Sequence, residues 1–396
     1  MNILFVVYHP LGYGGAEISA YQLALSLQGQ GHRVFIASTG HYEGVKSYCF
    51  FAYKLIPFFP FHNFYLSRFL SDVIRKEKID IIHAHDRLTS IPSILAAERE
   101  GIPSVVHFRD YWFACPRSSC MGPRLSEYDR CSFSIIFREY PFYRWPLDLY
   151  KWLYLRSVPK ILNRATVKVA NSNAILRRLK ANGIIRNVHV VGIFRDFSFF
   201  PKATSYDFLS FPLKKKVLTF LGGLTYTKGI LFVLRSLLSV LHERDDTSFL
   251  IVGHGPLEKA IRDFILENNI SDKIFLSSSV SLDSITEIYR RSDIVVLPSL
   301  WQEPFSGVIL EAGLMKKPVV ASAVGGNVEV ILDGKTGFLV SPNDSSLWRE
   351  RISYLLDNPS ICRKIGEAAF RHIKNNFSRE VITKKIEGLY LSANVG

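Results

Sequence analysis

Short apolar, β-branched runs alternate along this chain with segments in which apolar residues recur at helical spacing. Such alternation is typical of parallel sheets that are covered by helices. The runs fall into two series and predict twelve strands. The first series covers residues 2–8, 33–39, 79–85, 104–107, 166–170 and 188–192, and the second covers residues 216–221, 248–252, 273–276, 294–298, 319–322 and 337–340.

The stretch between the two series, residues 194–216, is irregular and marks a domain junction because Pro201 and Pro212 interrupt it. We therefore predict an α/β protein with two Rossmann-like, doubly wound parallel-sheet domains, at residues 1–198 and 199–378. Sheets of this kind bind ligands at the carboxyl ends of their strands, so we expect the ligand in the cleft between the domains.

Two helical segments complete this organisation. Within the second domain, a helix between two strands is predicted by four leucines at helical spacing, Leu231, Leu234, Leu238 and Leu241. After the second domain, residues 379–396 begin with a helix at about residues 379–392. This helix can pack back on either domain, including the N-terminal one.

Positive charge is concentrated in the first half of the chain. Residues 1–198 hold 25 Lys and Arg against 14 Asp and Glu, whereas the remainder holds 24 against 21. This distribution indicates an anionic partner, which is a phosphate-bearing substrate, a membrane surface or a nucleic acid. Residues 133–156 interleave aromatic and basic side chains. They form either a buried aromatic helix pair with a solvated basic face or a surface that meets lipid or acceptor.

Export and membrane insertion are both disfavoured. The first Lys or Arg is Arg33, so no basic segment of a secretory signal begins the chain. The most apolar stretch, residues 47–70, is interrupted by Lys54 and Arg68 and is too short of uncharged residues to span a bilayer. We expect a cytoplasmic protein, with the inner face of the plasma membrane as an alternative location.

Five cysteines in such a chain do not predict a disulfide framework. Cys115, Cys120 and Cys131 cluster with the spacing C-x4-C-x10-C, which is not a recognised zinc spacing. We interpret them as reduced, partly buried thiols, with a structural metal as the alternative.

A glycine loop follows the first predicted strand. Gly14 and Gly15 precede a predicted helix at residues 16–27, so backbone amides and a positive helix end are presented together. This arrangement suits a phosphate, although a tight strand-to-helix turn also needs glycine. The loop lacks the full G-x-G-x-x-G spacing of a dinucleotide fingerprint.

The strongest signal lies after the strand at residues 294–298. Glu303 falls in the loop, and Ser306 is suited to cap a helix that runs to Lys317. Glu311 lies five residues beyond Ser306, about 7 Å along the helix axis. Two carboxylates thus flank a helix start that can hold a phosphate, and a carboxylate is a natural acceptor for a diol.

Further glycine loops end other strands of the second series. Gly222 begins one that carries Lys228 before a helix, and this lysine can clamp a phosphate. Gly253 and the pair Gly325-Gly326 end two more strands, where the backbone can approach a ligand closely. Each loop alone is ordinary turn chemistry, but they recur at one end of one sheet.

Taken together, these motifs resemble the family 4 retaining glycosyltransferases of GT-B fold. The similarity spans nearly the whole chain and is carried by Gly-Gly-Ala-Glu17, Lys228-Gly229, Gly253-x-Gly-Pro256, Tyr289-x3-Asp293, Pro298-Ser, Glu303-Pro-Phe-x5-Glu311-Ala and Pro318-Val-Val-Ala-Ser with Gly325-Gly326.

The resemblance implies specific roles for these positions. Gly15 and Lys228 would contact the donor diphosphate, Glu303 the transferred sugar and Glu311 the ribose. The remaining donor-binding positions would be Gly14, Gly222, Pro304, Phe305, Ser306 and Gly307. His107 matches a family histidine beside the donor sugar and would be catalytic together with Glu303, whereas His83 and His85 are interpreted as structural.

Two positions depart from the family pattern. Gly223 stands where an arginine is usual, so a partner for the diphosphate is absent or comes from Arg109, Arg117 or Arg195. Ser306 replaces the usual glycine at the helix start, which is a benign change.

The expected activity is metal-independent transfer of a hexose, with retention, from a nucleotide-diphosphate sugar to a saccharide or lipid-linked acceptor, as in cell-surface polysaccharide or glycolipid synthesis. No Asp-x-Asp occurs, so we expect neither a metal nor another cofactor. The alternative is a non-catalytic sugar-nucleotide-binding scaffold of a membrane glycan assembly. An NAD-dependent oxidoreductase lacks its fingerprint here, and no nucleic-acid-binding module is visible. Residues 278–280 are expected to select the nucleobase.

Overall fold

The fold is described from a computed structural model. It covers residues 1–12, 14–51, 59–115, 118–121, 128–139, 141–199, 213–277 and 284–394. The chain divides into two compact units. The N-terminal unit comprises Met1–Phe194 and Arg379–Gly396, and the C-terminal unit comprises Arg195–Ser378.

Every strand in the two units is parallel to its neighbours. The N-terminal unit contains β1 (Asn2–Val6), β2 (Arg33–Ser38), β3 (Lys46–Cys49), β4 (Ile81–Ala84), β5 (Ser104–Phe108), β6 (Val167–Ala170) and β7 (Val188–Val190). The C-terminal unit contains β8 (Lys216–Leu221), β9 (Thr247–Val252), β10 (Ile274–Ser277), β11 (Ile294–Leu297), β12 (Val319–Ser322) and β13 (Phe338–Val340).

The order of the strands gives each unit one point at which the chain reverses direction across the sheet. The N-terminal order is β3-β2-β1-β4-β5-β6-β7, and the C-terminal order is β10-β9-β8-β11-β12-β13. The reversal lies between β1 and β4 in the first sheet and between β8 and β11 in the second. In doubly wound folds, ligands bind at the carboxyl ends of the strands at this point.

Helices separate the strands in both units. Those of the N-terminal unit before the junction are α1 (Gly15–Gly29), α2 (Phe59–Glu77), α3 (Arg87–Glu100), α4 (Phe133–Glu139), α5 (Trp145–Leu162) and α6 (Asn173–Ala181). The C-terminal unit contains α7 (Ile230–Ser236), α8 (Leu238–Glu243), α9 (Glu258–Glu267), α10 (Ile285–Arg291), α11 (Gly307–Leu314), α12 (Asn327–Val330), α13 (Ser345–Asp357) and α14 (Pro359–Asn376), and α15 (Arg379–Asn394) ends the chain.

All twelve predicted strands overlap an observed one, and the predicted α/β class is confirmed. The sequence analysis missed β3, which has only four residues and no buried position. The leucine-rich helix of the second domain is divided at Leu237, whose φ of −97° and ψ of 3° separate α7 from α8.

The last helix, α15, belongs to the N-terminal unit. Its Thr383 hydroxyl lies 2.8 Å from the Ser26 hydroxyl on α1, and its Tyr390 hydroxyl lies 2.5 Å from His83 Nδ1. Tyr390 and Ile386 are fully buried. This helix therefore completes the core of the first unit although it follows the second unit in sequence.

The aromatic region of residues 133–156 is partly packed and partly exposed. Trp145 and Trp152 pack around Ile136, whereas Phe142 and Tyr143 are 76% and 73% exposed. The packed part agrees with a buried aromatic helix pair, while contact of the exposed part with lipid or acceptor stays a prediction. Within the described ranges, no helix has the length and apolar character needed to cross a bilayer.

Candidate active site

The N-terminal unit has a cavity of about 570 Å³ at the reversal point of its sheet. Residues that follow β1, β4 and β5 form its wall together with the first turn of α1. The lining residues are Tyr8, His9, Gly14, Gly15, Ala16, Glu17, His85, Asp86, Arg87, Leu88, Arg109, Asp110, Trp112, Leu147 and Lys151. Gly14 and Gly15 therefore lie where a ligand of this unit would bind.

A side chain at Gly14 would be crowded by a neighbouring side chain rather than by its backbone angles. Gly14 is the N-cap of α1 and is extended, with φ −171° and ψ −178°. A Cβ at Gly14 would lie 3.1 Å from Glu17 Oε2. Because glycine has no side chain to cap the helix, this positive helix end stays open toward the cavity.

Three histidines form a stack beside the cavity. His83 lies on β4, His85 directly follows β4 and lines the cavity, and His107 lies on β5. The ring centroids of His83 and His85 are 4.1 Å apart, and those of His83 and His107 are 5.4 Å apart and parallel. Burial lowers the pKa of all three imidazoles well below the usual value, and the nearby Arg109 guanidinium lowers each pKa further. The three rings are therefore neutral at pH 7.

His107 is not among the residues that line the cavity. It is 2% exposed, and its Nε2 lies 2.6 Å from Asn171 Oδ1. Two residues further along the chain, Arg109 and Asp110 do line the cavity. The catalytic role of His107 stays a prediction, while His85, which was interpreted as structural, forms part of the wall.

Together, His83, His85 and His107 form a group whose ring nitrogens lie within 4.8 Å of one another, close enough to be considered for a metal ion. Arg109 Nη2 lies 3.0 Å from His85 Nδ1. Since a guanidinium only donates hydrogen bonds, His85 Nδ1 must accept, and the proton of this neutral ring sits on Nε2. That nitrogen has no lone pair for a metal, so the arrangement fits a metal ion poorly.

Three acids line the same cavity, and two of them, Asp86 and Asp110, have a raised pKa. Asp86 caps α3 and accepts hydrogen bonds from the amides of Leu88, Thr89 and Tyr8. Burial raises the pKa of Asp86 to about 6. Burial likewise raises the pKa of Asp110 to about 7, although the Trp112 amide and Arg87 oppose the shift. Asp110 therefore titrates close to neutral pH.

In the C-terminal unit, the predicted residues Lys228 and Glu303 come together. Lys228 Nζ lies 2.6 Å from Glu303 Oε1, and the same oxygen accepts hydrogen bonds from Ser299 Oγ at 2.5 Å and Trp301 Nε1 at 2.9 Å. Glu303 is only 4% exposed. Its carboxylate is consequently fixed in one orientation.

Close backbone contacts explain why this pair meets. Gly229, with φ +70°, leaves no room for a Cβ because one would overlap the carbonyl oxygen of Pro298. A Cβ at Gly325 would overlap the backbone of Glu303 in the same way. The glycines after β8 and β12 thus let both loops pack against the loop after β11, where Glu303 lies. Gly222, with φ +154°, begins the first of these loops.

Glu311 is held by two partners on other elements. Its Oε1 accepts from Arg195 Nε at 2.8 Å, and its Oε2 accepts from the Tyr289 hydroxyl at 2.8 Å. Burial and the Glu311 charge raise the pKa of Tyr289 well above its usual value. The side chains of Arg195 and Glu311 are 4% and 11% exposed, so this is a buried ion pair.

Residues 304–307 lead into α11. Ser306 occupies the predicted N-cap, but its side chain forms no capping hydrogen bond, so this part of the prediction is wrong. The Arg195 guanidinium packs where a Cβ of Gly307 would stand. A Cβ at Gly326 would overlap the carbonyl oxygen of Pro304. The Phe305 ring packs on the Phe377 ring, with the ring centroids 5.7 Å apart. Moreover, α11 ends at Leu314, earlier than predicted.

Three arginines were considered as sources of the diphosphate contact that Gly223 cannot supply, and they lie in different parts of the chain. Arg195 belongs to the C-terminal unit, not to the predicted first domain, because it pairs with Glu311. Arg109 lines the N-terminal cavity. Arg117 and the predicted base-selecting residues 278–280 lie outside the described residues.

The clustered cysteines are buried thiols. Cys115 Sγ lies 3.0 Å from the Tyr128 hydroxyl, and burial raises the pKa of Cys131 to about 12. Within the described part of the chain they do not form a metal-ligating group of three.

Several cavity residues were missed by sequence reasoning. Arg87, Asp110, Trp112 and Lys151 line the wall but carry no motif. Arg87 and Asp110 lie three and two residues after the ends of β4 and β5, and position after a strand end was the available signal.

Comparison with known proteins gives matches over most of the chain. A family described as Glycosyltransferase Family 4 matches residues 13–196, and one described as Glycosyl transferases group 1 matches residues 202–372. An uncharacterized glycosyltransferase of Methanocaldococcus jannaschii is 27% identical over 95% of this chain and 92% of its own.

Two further matches are informative. The capsular polysaccharide biosynthesis glycosyltransferase CapM of Staphylococcus aureus is 25% identical over 44% of this chain, which spans 45% of CapM. Among solved structures, Anabaena HepE in complex with UDP and glucose is similar with a TM-score of 0.75 at 18% identity, over 98% of this chain and 99% of that one.

Proposed function

Because this chain belongs to the family 4, or group 1, glycosyltransferases and has their GT-B fold, we propose that it transfers a hexose from a nucleotide-diphosphate sugar with retention and without a metal ion. The acceptor is a saccharide or a lipid-linked saccharide, and the product belongs to a cell-surface polysaccharide or glycolipid. The complex of HepE with UDP and glucose supports the nucleotide-sugar donor. The role of CapM in capsular polysaccharide biosynthesis supports the polysaccharide product.

The Lys228–Glu303 pair is the observation that carries this proposal. A carboxylate with three donors on one oxygen is preorganised, so it can accept hydrogen bonds from sugar hydroxyls through its other oxygen without reorganising. Lys228 lies beside it and supplies positive charge for the leaving diphosphate. Glu303 therefore orients the transferred sugar, and Lys228 stabilises the leaving group.

Glu311 is assigned to the ribose of the donor. Arg195 and Tyr289 each occupy one lone pair of its carboxylate, and a carboxylate has about four acceptor sites. Ribose hydroxyls can therefore bind while both partners stay in place. The backbone around Ser306 and Gly307 at the start of α11 contacts the phosphates, with Pro304 and Phe305 shaping the loop.

Transfer without a metal requires the protein itself to stabilise the negative charge of the leaving diphosphate. Lys228, the helix ends and backbone amides supply this stabilisation. The bond from the anomeric carbon to phosphate oxygen breaks ahead of attack, and the leaving phosphate takes the proton of the acceptor hydroxyl on the same face. His107 supports the sugar near the reacting carbon.

We place the protein in the cytoplasm at the inner face of the plasma membrane. Phe142 and Tyr143 are exposed on the N-terminal unit and are followed directly in the chain by Arg144. Aromatic rings and cations in such proximity suit a headgroup layer. This surface supports a lipid-linked acceptor.

A scaffold that binds sugar nucleotides without turnover is the second candidate. Gly223, where the family pattern has arginine, favours it because one diphosphate contact is absent from that position. Isothermal titration beside a transfer assay separates the two, since binding with no turnover on any acceptor extract identifies the scaffold.

The proposed function is tested with a panel of UDP-, GDP-, ADP- and CDP-sugars. Thermal shift identifies the donor, and NMR of the product reports the anomeric configuration. We expect one donor class to stabilise the protein, retention at the anomeric carbon, and full activity in EDTA. Inversion, or loss of activity in EDTA that Mg²⁺ or Mn²⁺ restores, contradicts the proposed mechanism.

A further inference from the structure

We propose that Arg109 is a phosphate-binding residue of the N-terminal cavity and that His85 is its positioning residue. The identity of the phosphate-bearing substrate rests on the proposed function, whereas the test of Arg109 measures anion binding and does not depend on that function. It starts from the position of Arg109, which follows the carboxyl end of β5 and lines the cavity with Gly14 and Gly15.

His85 offers Arg109 a fixed acceptor. Arg109 Nη2 lies 3.0 Å from His85 Nδ1, and this nitrogen must accept because a guanidinium has no acceptor atom. Protonation of His85 would destroy the hydrogen bond and place two cations side by side. The buried, neutral state of the ring is thus a condition for the observed position of Arg109.

The His85 ring is held in place by contacts with two other rings. It stacks on Phe5 with centroids 4.7 Å apart and 22° between the planes, and it packs at a tilt against His83 with centroids 4.1 Å apart. His83 is itself tied to Tyr390 of α15. A hydrogen-bond acceptor held this firmly fixes the direction of the guanidinium, as a second shell does for a metal ligand.

The same ring also points to a ligand. His85 is 2% exposed and lines the cavity, yet its Nε2 has no hydrogen-bond partner. By the argument above, this nitrogen carries the proton and is a donor. A buried donor without an acceptor is unfavourable, so an oxygen that enters the cavity can satisfy it while Arg109 binds the same group.

Arg109 shares the cavity wall with Arg87, Lys151 and the N-terminus of α1. Three acids, Glu17, Asp86 and Asp110, line the same wall. The Asp86 carboxylate is occupied by three backbone amide hydrogen bonds, and burial raises the pKa of Asp110 to about 7, which reduces its negative charge at neutral pH. A guanidinium matches the paired oxygens of a phosphate, which it binds in a bidentate manner. The ligand class is therefore a phosphate or diphosphate, from the donor or from a phosphorylated acceptor.

The test measures anion binding directly in the full chain by isothermal titration with inorganic phosphate, pyrophosphate and UDP. We expect Arg109→Gln to weaken the binding of at least one of them about 10- to 100-fold, the range for a hydrogen bond to a charged group. Arg99→Gln, an exposed arginine on α3, is the matched control and should leave binding unchanged. Thermal melts confirm that each variant is folded.

His85 is tested by a pair of substitutions. Asn places an amide oxygen near the position of Nδ1, whereas Leu has similar volume and no acceptor. We expect His85→Leu to weaken pyrophosphate binding by roughly the lower end of the range for a hydrogen bond to a charged group, and His85→Asn to restore most of it. A merely structural role would not distinguish the two variants at equal stability.

Distinct outcomes overturn the inference. It fails if the wild-type protein binds none of the three anions, if Arg109→Gln matches the Arg99→Gln control, or if His85→Asn is no better than His85→Leu. Zn²⁺ binding that requires His83, His85 and His107 also overturns it, since His85 would have to release Arg109.

The three anions show whether the bound phosphate comes from the donor or from the acceptor. They also allow the Arg109 site and the proposed function to fail separately. An effect on pyrophosphate and UDP but not on inorganic phosphate indicates the donor diphosphate, and an equal effect on inorganic phosphate indicates a single phosphate of the acceptor. If Arg109-dependent anion binding is found but no nucleotide sugar binds, the proposed function fails while this inference stands. Nucleotide-sugar transfer that is independent of Arg109 gives the reverse result.

Discussion

The polar groups of the C-terminal site are paired with one another, whereas those of the N-terminal cavity are left partly unsatisfied. In the C-terminal unit, Glu303 is bound by Lys228, and Glu311 by Arg195 and Tyr289. Beside the N-terminal cavity, each ring of the histidine stack keeps one nitrogen without a partner among the described residues. The difference separates a site that is organised before its ligand arrives from one that a ligand completes.

This contrast has a physical consequence for binding. A ligand of the C-terminal site must share residues that already satisfy each other, so it gains less from each contact but meets a rigid geometry. A ligand of the N-terminal cavity satisfies groups that are otherwise buried without partners, and each such contact gains more. Four substitutions test the contrast, from the largest expected effect to the smallest.

Glu303→Ala tests the organised site. We expect kcat to fall at least about 100-fold, the scale of losing one preorganised polar contact to a transition state. Steady-state transfer assays measure the effect, with Glu267→Ala on the exposed face of α9 as the control. Full transfer activity in Glu303→Ala would refute the assignment.

Arg195→Met tests whether the buried pair is interdependent. Removing one member leaves Glu311 charged and buried, which lowers the free energy of unfolding by about 3–5 kcal/mol. Adding Glu311→Gln neutralises the remaining partner and should recover most of this loss. Urea unfolding of the single and double variants measures both values, and additive losses would show that the pair is not coupled.

Asp110→Asn tests the unsatisfied cavity through its pH dependence. Because burial raises the pKa of Asp110 to about 7, the folded protein holds this proton more tightly than the unfolded chain does. The contribution to stability is present at low pH and is lost as pH rises through 7. At about 1.4 kcal/mol per unit, the loss is at most about 4 kcal/mol.

The asparagine variant should therefore gain stability relative to wild type as pH rises from about 4 to about 7, and the difference should stay constant above pH 7. Thermal unfolding across this range measures it, with the exposed Asp72→Asn on α2 as the control. A difference that does not change with pH contradicts the shift.

Tyr390→Phe produces the smallest effect. It removes the hydroxyl that lies 2.5 Å from His83 Nδ1 and links α15 to the histidine stack. We expect a loss of about 1 kcal/mol in the free energy of unfolding. Tyr354→Phe, at a residue that is 42% exposed, is the control. Equal values for the two variants would show that the link to His83 is energetically unimportant.

The two sites differ in how far their residues could be predicted from the sequence. Glu303 and Lys228 could be found because each lies in a local pattern of strand end, glycine and helix start. Arg195 could be listed as a cation but not paired with Glu311, because 116 positions separate the two in the chain. The capping role of Ser306 was wrong because residue type predicts a cap position, whereas the hydrogen bond depends on the side-chain direction.

The sequence by itself determined the succession of strands and helices along the chain, the two-unit α/β fold and the glycine loops at strand ends. These follow from hydrophobic periodicity and backbone freedom, which act over a few residues. Only the tertiary structure decided that α15 completes the first unit, that His85 is a neutral acceptor for Arg109 and that Asp110 titrates near pH 7. Protonation and pairing depend on burial by neighbours from distant parts of the chain, and local sequence does not contain that information.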